Sequence, residues 1–215
     1  MKTLLRMLLL CFIVFAWNTV LWAQDSDKPA EPEKKKKEFA FTLGAAAGNF
    51  ANDAAKFTSV YSNRSISKIY FGAIGTTMFQ FIGKYREFYA FGTSKVENIA
   101  VTGRADWKQK FYAAGLHVRT EDQPLYAEVL YIVTRAEESI TTTDPVIEEL
   151  TSEYKTEAKG IGFAVGIATK KIIGPFGIYA EVEFDAMLRK GRNQQGKVDP
   201  ELGGFSAGAG VFFEL

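Results

Sequence analysis

The sequence predicts an all-β fold: a single eight-stranded, antiparallel, up-and-down transmembrane β-barrel over residues 39–215. Three observations predict it. Segment after segment alternates apolar with small or polar residues on a period of two, as strands with two unlike faces do. The connections between segments run long, short, long, short along the chain. Charged residues share their faces with glycines while the opposite faces are apolar, the reverse of a soluble barrel.

Residues 1–23 fall outside that pattern. Lys2 and Arg6 precede the apolar run Met7–Trp17, which leads to Leu21-Trp22-Ala23. This is the layout of an export signal cut after Ala23, and the run is short for a spanning helix. Cys11, the one cysteine, lies inside it. The remaining chain has no thiol, which excludes disulfides and cysteine metal sites. Without Lys2 and Arg6 the charge is close to balanced, so nothing points to nucleic acid. Residues 24–38, QDSDKPAEPEKKKKE, carry no large apolar group and read as a disordered lead.

The first strand is expected over Phe39–Phe50, with Phe39, Phe41, Leu43, Ala45 and Ala47 on one face. Ala51–Ser67 is polar and reads as a long loop. The second strand covers Lys68–Phe81, a turn follows near Gly83, and the third covers Tyr85–Lys95. The two faces of these strands are similarly apolar, so their inside is not assigned. Val96–Trp107 reads as another long loop. The fourth strand is Lys108–Arg119, with Tyr112, Ala114, Leu116 and Val118 opposed to Phe111, Ala113, Gly115, His117 and Arg119.

Thr120–Pro124 makes a short turn into the fifth strand, Leu125–Ala136. Its apolar face is Leu125, Ala127, Val129, Tyr131 and Val133. Glu137–Glu157 reads as a long acidic loop without the ordered spacing of a calcium site. The sixth strand, Ala158–Lys170, alternates Ile161, Phe163, Val165 and Ile167 with glycine and alanine. Gly174-Pro175 breaks the chain before the seventh, Phe176–Leu188, which sets Glu181, Glu183 and Asp185 on one face. Arg189–Leu202 is the last long loop. The eighth strand, Gly203–Leu215, points Phe205, Val211, Phe213 and Leu215 to one side and Ser206, Gly208 and Gly210 to the other. Strands of ~12 residues tilted by ~40° span a lipid-facing band of ~25 Å.

With its signal, its alternation of short turns and long loops, and its closing strand ending Phe212-Phe213-Glu214-Leu215, the chain resembles the small outer-membrane barrels of the OmpA and OmpX type over residues 39–215. The resemblance implies a monomer in the bacterial outer membrane, in contact with outer-membrane lipids and lipopolysaccharide. It also implies that Phe205, Val211, Phe213 and Leu215 form the C-terminal signal read by the barrel-assembly machinery. Those families end in an aromatic residue, where this chain has Leu215.

The candidate interior network is Glu128, Glu181, Glu183 and Asp185, with His117 facing Glu128 across the short turn and Arg119 as a counter-charge. Gly208 and Gly210 leave room for the carboxylates of the neighbouring strand. An eight-stranded interior is just wide enough for side chains to fill it, so the network reads as a plug rather than a cation conduit. His117 and Glu128 have the chemistry of half an acid–base pair. In the resembling lipid deacylases a serine follows the histidine by two residues; here that residue is Arg119. No catalytic site, cofactor or metal site is expected, since phosphate loop, zinc spacing and nucleophile elbow are all missing. Trp107, Tyr112, Tyr131 and Phe213 read as interfacial aromatics. The expected function is a structural or surface-interaction role carried by external loops, with a narrow pore second and lipid modification third.

Overall fold

The computed structural model describes residues 39–51, 61, 63–95, 102–120, 124–142, 151–169, 172–187 and 202–215. The expected signal, residues 1–23, and lead, residues 24–38, lie outside them. The strands are β1 (Phe39–Ala51), β2 (Asn63–Arg64), β3 (Ser67–Thr76), β4 (Phe79–Lys95), β5 (Thr102–Arg119), β6 (Leu125–Thr142), β7 (Thr151–Ala168), β8 (Phe176–Met187) and β9 (Gly204–Glu214). Eight of them pair antiparallel with their neighbours in the ring β1-β3-β4-β5-β6-β7-β8-β9, and β9 pairs back onto β1. The short β2 adds to β4 above the ring. The seam closes with Leu43 opposite Phe213, and Phe41 and Leu215 exchange both backbone hydrogen bonds at 3.0 Å. A closed ring leaves no unpaired edge within the membrane, the condition for a sheet to span lipid.

The alternation sorts the two faces. Outward lie Leu43, Ile74, Phe81, Leu116, Val129, Val165, Ile178 and Val211, all exposed. Inward lie Gln80, Lys84, Arg86, Glu128, Glu181, Glu183, Asp185 and Ser206, all buried. The inward face of β8 is charged at three successive positions, which a water-exposed outer surface around an apolar core would not produce. On β8 the outward run Phe176 to Ala186 is uninterrupted by charge; it rises ~34 Å along the strand, or about 26 Å after a ~40° tilt. That matches the apolar band of a membrane barrel. Aromatic residues mark both margins. Phe39, Phe79 and Phe176 are exposed at the short-turn end, with Phe213 half-buried against Phe176 at 5.3 Å. Toward the other rim Tyr70, Tyr85 and Tyr112 sit in one cross-strand row, with Tyr131 beside them.

Four expectations change. The turn expected near Gly83 lies at residues 77–78, and Gly83 sits mid-strand opposite Gly72. That tight turn has no glycine or proline; the Thr76 hydroxyl accepts from the Phe79 amide at 3.1 Å instead. Half of the loop expected at Val96–Trp107 and most of that at Glu137–Glu157 are strand, because β5 begins at Thr102, β6 runs to Thr142 and β7 starts at Thr151. Ala51–Ser67 contains β2. Trp107 is not interfacial: it faces inward and is 2% exposed. The expected break at Gly174-Pro175 stands where Gly174 adopts a left-handed φ of 57°.

Candidate functional site

The lumen is filled in three layers. Nearest the short turns, Phe71, Tyr126, Tyr179 and Phe212 pack together. At the long-loop end Phe50, Phe88, Trp107, Phe111, Leu130, Ile132 and Leu202 form a larger apolar cluster. Between them lies the charge layer. Lys84 and Arg86 come from β4; Glu128 from β6; Glu181, Glu183 and Asp185 from β8; Ser206 from β9.

Lys84 sits at the centre. Its Nζ donates to Glu128 Oε2 at 2.7 Å, to both Glu181 oxygens at 3.0 Å and to Glu183 Oε2 at 3.0 Å. Arg86 donates to Glu183 Oε1 at 3.3 Å, to Ser206 Oγ at 2.7 Å and to Asp185 Oδ2. Its guanidinium lies 4.0 Å from the Phe111 ring centroid and 5.0 Å from that of Phe50. It therefore joins the charge layer to the apolar cap through cation–π contact. Tyr126 donates to Glu181 Oε2 at 3.0 Å.

The β8 carboxylates have room because their cross-strand partners are small: Gly166 and Gly208 flank Glu181, Ala164 and Ser206 flank Glu183, Gly162 and Gly204 flank Asp185. A Cβ on Gly208 would meet Ile69 Cδ1 at 2.9 Å. Gly210, expected to make room for a carboxylate, faces Tyr179. Arg86 Nε, Asp185 Oδ1 and the Tyr179 hydroxyl are buried without a partner.

The structure brings His117 opposite Glu128, with Nδ1 2.9 Å from Oε1 and the ring stacked on Tyr126 at 4.8 Å. A cavity of about 20 Å³ beside this pair is lined by Gln80, Tyr179 and Arg119 among others. That is space for a single water. Arg119 does not neutralise the acidic set. It is held at the short-turn end by Glu214 Oε2 at 2.6 Å. The actual counter-charges, Lys84 and Arg86, went unassigned from sequence. Their signal was present: Gln80, Lys84 and Arg86 share one parity of one strand. The turn expected at Gly83 cut that strand in two and hid it.

Beyond the apolar band, β4 to β7 continue as a wall. Its outward face carries Glu87, Tyr89, Phe91, Arg104, Asp106, Lys108, Arg135 and Glu137. Lys108 pairs with Glu87 at 3.2 Å, Arg104 with Asp106 at 2.9 Å and Arg135 with Glu157 at 2.9 Å. Inside the wall Tyr61 donates to Glu138, and its ring lies 5.6 Å from that of Trp107, tilted to it by 54°. Burial, with the Glu138 carboxylate beside it, raises the Tyr61 hydroxyl well above its ordinary range, so it stays a donor.

A closed ring of eight strands, apolar outside and charged inside, decides the architecture. The chain is an eight-stranded transmembrane β-barrel. No family model matches the chain, and no curated protein matches it. Solved structures similar to it are themselves small barrels. Ail, the attachment invasion locus protein of Yersinia pestis, is 13% identical, with TM-score 0.47, covering 82% of this chain and 97% of that one. Neisserial surface protein A is 14% identical, with TM-score 0.44, covering 81% and 96%. A major outer membrane protein from Thermus thermophilus is 10% identical, with TM-score 0.45, covering 83% and 100%. The barrel's own lumen and rim carry the functional argument.

Proposed function

We propose that this barrel is a monomeric outer-membrane protein, closed to solutes, whose work is contact: it presents the β4–β7 wall to the exterior. In this reading the short turns face the periplasm, and the long-loop rim faces outward among lipopolysaccharide and surface molecules. The observation that carries it is the wall itself. Strands that need only cross lipid run on past the band and display paired charges beside Tyr89 and Phe91, around an outer hollow of about 490 Å³. A transport role would need an open lumen, whereas here three packed layers fill it. His117 and Glu128 serve the plug in this reading, not catalysis, because Glu128 is already bound to Lys84. Export by the N-terminal signal and insertion by the assembly machinery through Phe205, Val211, Phe213 and Leu215 complete the proposal.

Orientation is the test. Cys11 is the only cysteine, so new ones report cleanly once the signal is removed. On intact cells a membrane-impermeant maleimide should label Arg104→Cys and leave Thr77→Cys unlabelled until the outer membrane is opened. The reverse pattern would overturn the reading.

A further inference from the structure

The charge layer of the lumen is short of positive charge. Four buried carboxylates, Glu128, Glu181, Glu183 and Asp185, share two cations, Lys84 and Arg86. Arg119 adds nothing, because Glu214 holds it at 2.6 Å. A buried carboxylate without its own counter-charge is costly. The shortfall is plain at the edge nearest the short turns. There Lys84 is the only lysine or arginine on Glu128 and Glu181 among the described residues, and Glu183 draws on it as well.

That edge borders the cavity of about 20 Å³. Its lining brings oxygen from β1, β4, β6 and β8: Thr42, Gln80, Tyr126, Glu128, Tyr179 and Glu181. Tyr179 is 5% exposed, with its ring packed edge-on against Phe71 at 5.2 Å, and its hydroxyl has no partner. A buried hydroxyl is normally paired, so this one marks a place for a ligand atom. The Gln80 amide nitrogen donates to Thr42 Oγ1 at 3.3 Å, and the amide oxygen accepts no hydrogen bond among the described residues. No three His, Cys, Asp or Glu side chains among the described residues converge as a zinc or other transition-metal site requires. What borders the space is carboxylate and neutral oxygen, the donor set of a hard ion. The space itself admits one water-sized body.

We propose that this cavity binds one dehydrated alkali-metal cation, of sodium or potassium size, through Glu128, Glu181, the Gln80 amide oxygen and the Tyr179 hydroxyl. Protein oxygens replace the ion's hydration shell. The ion supplies charge that Lys84 alone does not, and it joins β4, β6 and β8 across the lumen. The His117 side chain beside Glu128 is 11% exposed, so the ion enters from the short-turn end. The site does not depend on which end of the barrel faces outward.

The probes are sodium and potassium chloride against N-methylglucamine chloride at equal ionic strength and pH. The purified barrel is unfolded by urea in a zwitterionic detergent, and Trp107 fluorescence is the readout. With a dissociation constant of ~10 mM, about 100 mM alkali ion should raise the urea midpoint by ~0.7 M. Tyr179→Phe removes one hydroxyl and keeps the ring. It should weaken binding about tenfold and cut the rise to ~0.2 M, with no loss of stability in N-methylglucamine. The sodium-23 resonance should broaden with the wild-type barrel and sharpen again on adding potassium or with Tyr179→Phe. Equal wild-type midpoints in the three salts would overturn the site; His117 would then carry the missing charge as imidazolium and the cavity would hold water. An undiminished rise in Tyr179→Phe would overturn it too, by placing the ion elsewhere.

Discussion

Lys84 is the single side chain on which the lumen depends most. Its side chain is 3% exposed and its Nζ stands within 3.0 Å of three carboxylates, Glu128, Glu181 and Glu183. Replacing it by methionine keeps the length and apolar stem and removes the charge. Breaking a buried ion pair by deleting one partner costs ~3–5 kcal/mol, because the other charge is left desolvated and unpaired. Three carboxylates lose a partner here, so Lys84→Met should cost at least ~4 kcal/mol. With a urea m-value of ~2 kcal/mol/M, the midpoint should fall by about 2 M. Trp107, the only tryptophan after residue 23 and buried in the cap above the network, reports unfolding by fluorescence. A second variant, K84M/E128Q/E181Q, removes charge from both sides and should recover most of the loss, since a neutral buried set avoids the uncompensated charge. A loss below ~1 kcal/mol in the single variant, or no recovery in the triple, would refute the view that Lys84 neutralises the lumen.

Other outcomes follow from the same geometry. Arg86→Lys keeps the charge and loses the planar contact with Phe111 and the fork to Glu183 and Asp185; it should cost about 2 kcal/mol in the same titration. Gly208→Val places a branched side chain against Ile69 and beside Glu181, and should destabilise by ~1–3 kcal/mol through overpacking. Glu181→Ala should leave the barrel impermeable to small ions in a liposome flux assay, because the apolar cap and the Tyr126–Tyr179–Phe212 layer remain; flux created by this one change would place the seal in the charge layer alone. Arg119→Met, which breaks a partly exposed pair with Glu214, should cost less than Lys84→Met in the urea series.

Much of this barrel can be read from period-two alternation, because a strand that must face lipid on one side leaves few choices on the other. The opposition of His117 and Glu128 follows from the parity of two strands around one short turn. The opposition of Glu181 and Gly208 follows from β8 and β9 in the same way. Alternation fails where both faces are apolar. On β4 the inward set is Gln80, Ile82, Lys84, Arg86, Phe88 and Ala90, and the outward set is Phe79, Phe81, Gly83, Tyr85, Glu87 and Tyr89, so hydrophobicity alone does not separate them. Charge separates them once the strand is taken whole, yet Gly83 reads as a break because glycine usually marks one. Trp107 misleads for a related reason. Tryptophan favours membrane interfaces, but its parity on β5 is that of Gln109 and Phe111, and Gln109 accepts from its ring nitrogen at 3.2 Å inside the barrel.

The charge layer and the outer wall obey one electrostatic rule with opposite results. Inside, four carboxylates surround two cations, and the ion pairs are close because the packed lumen leaves them only each other. Low dielectric makes such a network costly unless each group finds a partner, so it fixes the relative register of β4, β6, β8 and β9. A shift of one residue in β4 would turn Lys84 and Arg86 into lipid and strand all four acids. Outside, Lys110 and Arg135 stand side by side, but each also faces a carboxylate, Glu87 and Glu157, on its other neighbour strand and lies open to water, so the same repulsion is tolerable. Position relative to the band thus decides what a cation does: Lys84, inside, holds the barrel shut, and Lys110, on the opposite face and nearer the rim, meets whatever lies outside.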